Sequence, residues 1–255
     1  MTDISTAADP ELLQTVVVAK DPIGNLGGAW MSVPAEQEAT AAAGLVDWQL
    51  YFLGRHGVMG DVDADVVTAA AYVFPAEYLR QEWRAARSKL TPAEGLERYV
   101  AVCHGWGRET LADFAAADRL SVLAAKVIDA ADVAGLPLFA GWRAVPVPAD
   151  SAARCAHLMQ VLREHRGACH GVALVALGMK PLIAILCNQG GEQNAQEYGW
   201  QPPYPVVTAA DQERRNRVEE LTDDLVASAY AGLTVAERGE FVDLLSAAAV
   251  HCFGE

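Results

Sequence analysis

Residues 91–132 read TPAEGLERYVAVCHGWGRETLADFAAADRLSVLAAKVIDAAD, and this stretch decides the fold class. It opens on Thr91-Pro92-Ala93-Glu94, a capping box with proline at the first helical position, so a helix begins there. That helix is expected to run toward Asp113, weakened in its second half by Gly105 and Gly107. A second helix, Ala115 to Asp132, sets Leu120, Leu123, Val127 and Ile128 on one side. The rest of the chain is written the same way, with alanine abundant and valines set singly inside Ala/Leu-rich runs. This pattern predicts an all-α protein, a multi-helix bundle packed through small side chains.

Toward the N-terminus, Asp9-Pro10-Glu11 is a helix start, and its run is expected to end before Asp21-Pro22. A short helix should span Pro34 to Gly44. The next, Leu45 to Arg55, carries Leu45, Trp48 and Phe52 at helical spacing and gives way to a glycine-rich turn at Gly54-Arg55-His56-Gly57. Asp61 to Asp63 cap a helix through Val73, and Pro75 opens another reaching Lys89. Gly135 to Pro148, with Pro137, Gly141, Pro146 and Pro148, is expected to be an extended connection between an N-terminal half (1–136) and a C-terminal half (149–255). One continuous domain stays open as the alternative.

In the C-terminal half a helix from Asp150-Ser151 should end near Arg166-Gly167, a second should reach Gly178, and a third should follow Pro181. Gly190 to Pro205 is polar and proline-rich and predicts no helix, at most a short ribbon near Trp200 to Val207. Two helices close the chain, Thr208 to Ala231 and Leu233 to Val250.

Composition narrows the function classes. With 52% hydrophobic and 20% charged residues, 255 residues can bury a real core. The net charge of −14 repels polyanions and argues against nucleic acid as a partner. Five scattered cysteines without a CxxC pair read as free thiols in a reducing compartment. Met1 to Asp9 lacks the lysines and apolar core of a signal peptide. The longest apolar stretch, Val172 to Cys187, is broken by Gly178, Lys180 and Pro181. A cytoplasmic protein without membrane contact is expected.

The densest chemistry lies in Leu162-Arg163-Glu164-His165-Arg166-Gly167-Ala168-Cys169-His170-Gly171, a polar cluster between apolar segments. His165 and His170 stand five residues apart and diverge by roughly 140° on an unbroken helix. They converge only if Gly167 breaks it. They then supply acid–base groups, with His165 and His170 as catalytic candidates and Arg166 as a binding cation. The alternative is that they satisfy buried carbonyls at a helix corner. A second candidate is Tyr51-Phe52-Leu53-Gly54-Arg55, where Arg55 at a helix end can hold a carboxylate or phosphate with Tyr51 beside it, or else cap helix carbonyls. Cys103-His104 point about 100° apart and make a poor nucleophile–base pair. The zinc spacings and nucleotide loops with a phosphate-binding motif are missing.

Tyr51-Phe52 with Gly54-Arg55, Pro137-Leu138-Phe139-Ala140 leading to Pro146, and His165-Arg166-Gly167 with His170 together resemble a family of helical actinobacterial proteins labelled helix-turn-helix, which carry an HRGxxH segment. The similarity runs from about Ala35 to about Leu245. It implies an all-helical N-terminal body and a C-terminal winged-helix-like unit, degenerate in this chain. Ala168-Cys169 stands where members tend to read Asp-Gly, and Pro202-Pro203-Tyr204-Pro205 replaces the helix expected after Gly199-Trp200.

The expectation is therefore a small-molecule-binding protein whose Tyr51, Arg55, His165, Arg166 and His170 line one pocket for an anionic organic molecule, with enzymatic turnover left undecided. Two alternatives stand beside it. One is a winged-helix regulator using Arg214, Arg215 and Arg217 against phosphates, although these alternate with Glu213, Glu219 and Glu220 as a solvated face does. The other is a haem or metal protein using His165 or His170 as axial ligand. The cofactor is unknown, and the oligomeric state is left open.

Overall fold

A computed structural model describes residues 8–254 of the chain. The stretch Met1 to Asp9, expected to carry no signal peptide, lies mostly outside the described residues. In chain order the helices are α1 (Pro10–Gly28), α2 (Pro34–Ala42), α3 (Gln49–His56), α4 (Ala64–Ala70), α5 (Ala76–Arg87), α6 (Pro92–Thr110), α7 (Ala117–Ala130), α8 (Pro137–Arg143), α9 (Ser151–Ala176), α10 (Pro181–Leu186), α11 (Gly191–Glu197), α12 (Ala209–Ala227) and α13 (Val235–Phe253). No strand occurs among the described residues, so the all-α expectation holds.

The caps read from the sequence form. Asp9 accepts from the Glu11 amide at 2.9 Å, Asp63 from Asp65 at 2.9 Å, and Asp150 from Ala153 at 3.0 Å. Capping boxes close at Thr91/Glu94 and Thr234/Glu237, and a third at Thr208/Asp211.

Several expectations fail, most of them because burial outweighs local propensity. α1 does not stop at Asp21 but continues through Pro22 to Gly28. The buried stripe Val16, Ala19, Ile23, Leu26 crosses the proline, and each large apolar side chain buried there is worth about 1.5–3 kcal/mol against about 3 for the proline. The segment Gly135 to Pro148 is not wholly extended. It holds α8, whose Leu138, Phe139 and Trp142 are buried. α11 occupies the start of the polar stretch where no helix was expected. Most consequential, α9 does not break at Gly167 but runs unbroken for 26 residues. Leu158, Leu162, His165, Cys169 and Ala173 make one buried stripe across that glycine, and its burial exceeds the roughly 1 kcal/mol a mid-helix glycine costs.

α9 is the axis of the molecule: α1, α6, α7, α8 and α12 all pack on it. Trp30, Trp83, Trp142, Tyr99, Phe52 and Phe139 fill the surrounding core. Gly54 is not at a helix end, as the sequence suggested, but inside α3, where a Cβ would stand 2.2 Å from that of Tyr99. Its lack of a side chain lets α3 and α6 touch, and this contact sets the position of Arg55. A smaller core of Ala173, Leu174, Met179, Ala184 and Val218 joins the end of α9 to α10 and α12.

Candidate functional site

With α9 continuous, its residues divide between two faces. Arg163, Arg166, Gly167 and His170 face a cleft of about 510 Å³, which α3 closes with Tyr51 and Arg55 and α12 with Arg215 and Glu219. Trp48, Phe74 and Tyr198 supply an aromatic wall, the Trp48 and Tyr198 rings 6.2 Å apart.

Arg55 is held by a buried carboxylate. Its Nε and Nη2 donate to the two oxygens of Glu164, both at 2.8 Å, and Gln160 Nε2 donates to the same carboxylate at 2.7 Å. Burial alone would raise the Glu164 carboxyl, but the charge and hydrogen bonds of Arg55, reinforced by Arg163, hold it below the usual carboxylate range. The Arg55 guanidinium lies 5.4 Å from the Tyr51 ring centroid. Arg166 is likewise consumed, one Nη donating to Asp223 at 2.5 Å and the other to Glu219 at 2.7 Å. His170 Nδ1 stands 3.1 Å from the Thr222 hydroxyl and 3.5 Å from Glu219.

Tyr51, Arg55, Arg166 and His170 thus share one cleft, and His165 does not. It is 4% exposed on the core stripe, its ring 4.6 Å from that of Phe139 and its Nε2 3.7 Å from Cys169 Sγ. The five-residue spacing carries it away from His170, as an unbroken helix requires. Arg163 and Arg215 were not expected in the cleft, Arg215 standing instead among the phosphate contacts of the regulator alternative. The spacing 163, 166, 170 is itself helical and would have placed Arg163 in the cleft had Gly167 been read as helix interior.

Burial pushes His165 down to about 4 and His170 to about 4, and burial beside Arg55 pushes His56 to about 3. All three are neutral near pH 7. Because these folded values lie below the ordinary 6.5, the unfolded chain takes protons first as pH falls. Stability is therefore lost progressively as pH falls from 6.5 to about 3. Urea unfolding should show a loss of at least about 2 kcal/mol from pH 7 to pH 5, and a flat profile would place these imidazoles in water.

A second feature adjoins the cleft. α10 and α11 are joined by the four-residue turn Cys187 to Gly190, in which Gly190 has φ +72°. A turn of that length with a glycine is what a helix-turn-helix corner uses. The chain after α11 is non-helical up to Thr208 and is pinned to the body by Trp200 Nε1, which donates to the Val73 carbonyl at 2.8 Å, while the Tyr204 hydroxyl braces the segment on itself by donating to the Trp200 carbonyl at 2.8 Å. α11 turns Glu192, Gln193, Gln196 and Glu197 to solvent.

The model of a helix-turn-helix family matches residues 19–254. The chain belongs to that family. No match is found among curated proteins or among solved structures.

Membership in the helix-turn-helix family corrects two expectations. A small-molecule-binding protein or enzyme as the primary function gives way to the regulator alternative, and nucleic acid is no longer set aside as a partner. The physical reasons are local. Net charge describes the whole molecule, whereas Lys180 at the start of α10 and Arg214 and Arg217 on α12 make no salt bridge among the described residues. The prolines after Gly199 do keep helix out of the residues that follow Trp200, but they lie beyond α11 and leave the α10–α11 pair intact. No helix among the described residues of this helix-turn-helix protein is long and apolar enough to cross a membrane.

Proposed function

We propose that this protein is a DNA-binding regulator of the winged-helix-like kind, acting in the cytoplasm on duplex DNA. The observation that carries the reading is the family match across residues 19–254. The α10–α11 corner gives it a physical form, with α11 as the element presented to the major groove and the non-helical chain after Gly199 as the wing-like arm. Gln193 and Gln196, exposed on α11, have the amide groups that pair bidentately with adenine, and Glu192 and Glu197 can accept from the cytosine amino group. Lys180, Arg214 and Arg217 are the cations available to phosphates.

Selection from a random duplex pool followed by fluorescence anisotropy tests this reading. A preferred sequence should emerge whose affinity falls steeply with salt. Lys180→Ala, Arg214→Ala and Arg217→Ala should weaken binding equally for all sequences, each reducing the salt slope by about 1. Gln193→Ala or Gln196→Ala should instead cost about 1–3 kcal/mol at particular base pairs. Failure to enrich any sequence at about 50 mM salt would reject the proposal.

A further inference from the structure

The four cleft arginines are not equally occupied. Arg55 and Arg166 spend their donors on Glu164, Glu219 and Asp223. Arg215, its side chain only 14% exposed, donates one Nη to Glu219, and its buried Nε has no partner among the described residues. Arg163 makes only a long 3.4 Å contact with Glu164 and leaves 31% of its side chain open to the cleft. A buried guanidinium donor without an acceptor is costly, and such groups in native proteins almost always find a partner. Here one such donor, Arg215 Nε on α12, and the loosely held, part-exposed guanidinium of Arg163 on α9 belong to side chains that line one cavity with the rings of Trp48 and Tyr198.

We infer that this cleft is an effector site, in which Arg163 and Arg215 hold the carboxylate of a planar aromatic acid whose ring lies against Trp48 and Tyr198. The cavity volume, about 510 Å³, is within the range of sites that enclose small ligands. Guanidinium forks match a carboxylate in geometry and charge, and aromatic walls match a flat ring.

The regulatory half of the inference rests on the duplex-binding reading. Arg163 belongs to α9 in the body, whereas Arg215 lies on α12 and Tyr198 is the residue that ends α11. A ligand gripping all three ties the helix-turn-helix corner to the body in one arrangement. Any difference in its affinity between arrangements then appears as a change in DNA affinity of equal size.

Benzoate and indole-3-acetate, with inorganic phosphate as the ringless control, are titrated against the full chain while tryptophan fluorescence and thermal unfolding are followed. At least one aromatic acid should saturate, quench the fluorescence and raise the melting temperature, and phosphate should not. Arg163→Ala and Arg215→Ala should each weaken that binding at least tenfold. Arg163→Ala removes the long contact to Glu164 and the packing of the arginine stem over Gly28, and the thermal unfolding followed in the same titration separates a loss of binding from a loss of fold. Binding by neither acid, binding by phosphate alone, or unchanged binding in both variants overturns the site. Repeating the anisotropy titration with saturating acid should shift duplex affinity at least threefold in wild type and not in Arg163→Ala. If the acid binds and duplex affinity stays fixed, the coupling is wrong and the site stands. If the chain binds no duplex, the ligand titration still decides the site by itself.

Discussion

Glu164→Ala will destabilise the protein by about 3–5 kcal/mol, which for a chain of this length lowers the melting temperature by roughly 6–20 °C. Glu164 is fully buried and receives two hydrogen bonds from Arg55 and one from Gln160. Truncation strands the Arg55 guanidinium, buried and always charged, with only a 3.5 Å approach to the His56 ring and the face of Tyr51 left to it. The loss comes from that orphaned charge more than from the pair itself, which two controls separate. Glu164→Gln keeps an acceptor and the side-chain volume and should cost less than alanine. The double replacement Arg55→Met with Glu164→Leu removes both charges and should recover much of the loss, since apolar pairs often substitute for buried ion pairs without penalty. Urea unfolding at constant pH measures all three. The alanine deficit should also shrink in acid. The Glu164 carboxyl is held below its usual range, so its contribution is complete above the ordinary carboxylate value and fades as pH falls through the lowered one. A deficit below about 1 kcal/mol would mean that Arg55 reaches water when its partner is removed.

The same pair shows how far the sequence could be read. Helix starts were legible because they are written in local chemistry: Thr91/Glu94, Thr234/Glu237 and the aspartates before α1, α4 and α9 all cap as expected. Helix ends were not legible where a glycine or proline competes with burial. Pro22 and Gly167 are both breakers by propensity, and both lie inside long helices because their neighbours belong to buried stripes. The candidate site inherited that error. The cluster around His165 was found because polar residues stand out in apolar text. Its membership came out partly wrong because a break at Gly167 was needed to bring His165 to the cleft, and Arg163 was passed over for the same reason. That Arg55 meets Glu164, 109 residues away, has no signature in a single sequence. α11 was hidden in a polar stretch because a seven-residue helix is too short to show a period, leaving only Gly190 and the prolines beyond it as visible signals.

Gly190 and Gly191, adjacent in the corner between α10 and α11, should respond to substitution in opposite ways. Gly190 has φ +72° and open space around it, a Cβ there coming no closer than 3.7 Å to Asn194. Asparagine tolerates that backbone, so Gly190→Asn should cost well under about 1 kcal/mol. Gly191 has an ordinary backbone but no room. A Cβ would stand 2.5 Å from the Leu186 carbonyl oxygen and 2.7 Å from its Cα, and these are backbone atoms of α10 that no rotamer change can move aside. Gly191→Ala must therefore pry the two helices apart at a cost of about 1–3 kcal/mol. The main core does not touch this corner, which sits on the small cluster around Met179 and Ala184. The damage should stay local: faster amide exchange across residues 181–197, with exchange in α6, α7 and α9 up to Cys169 little changed. If α11 enters the major groove, tilting it by even a few degrees displaces Gln193 and Gln196 from the base edges. Sequence-selective affinity should then fall by a factor of about 10 to 100, while the salt-dependent background set by Lys180, Arg214 and Arg217 persists. Loosened exchange with unchanged selectivity would remove α10 and α11 from DNA recognition and move the search to α12 and the non-helical arm after Gly199.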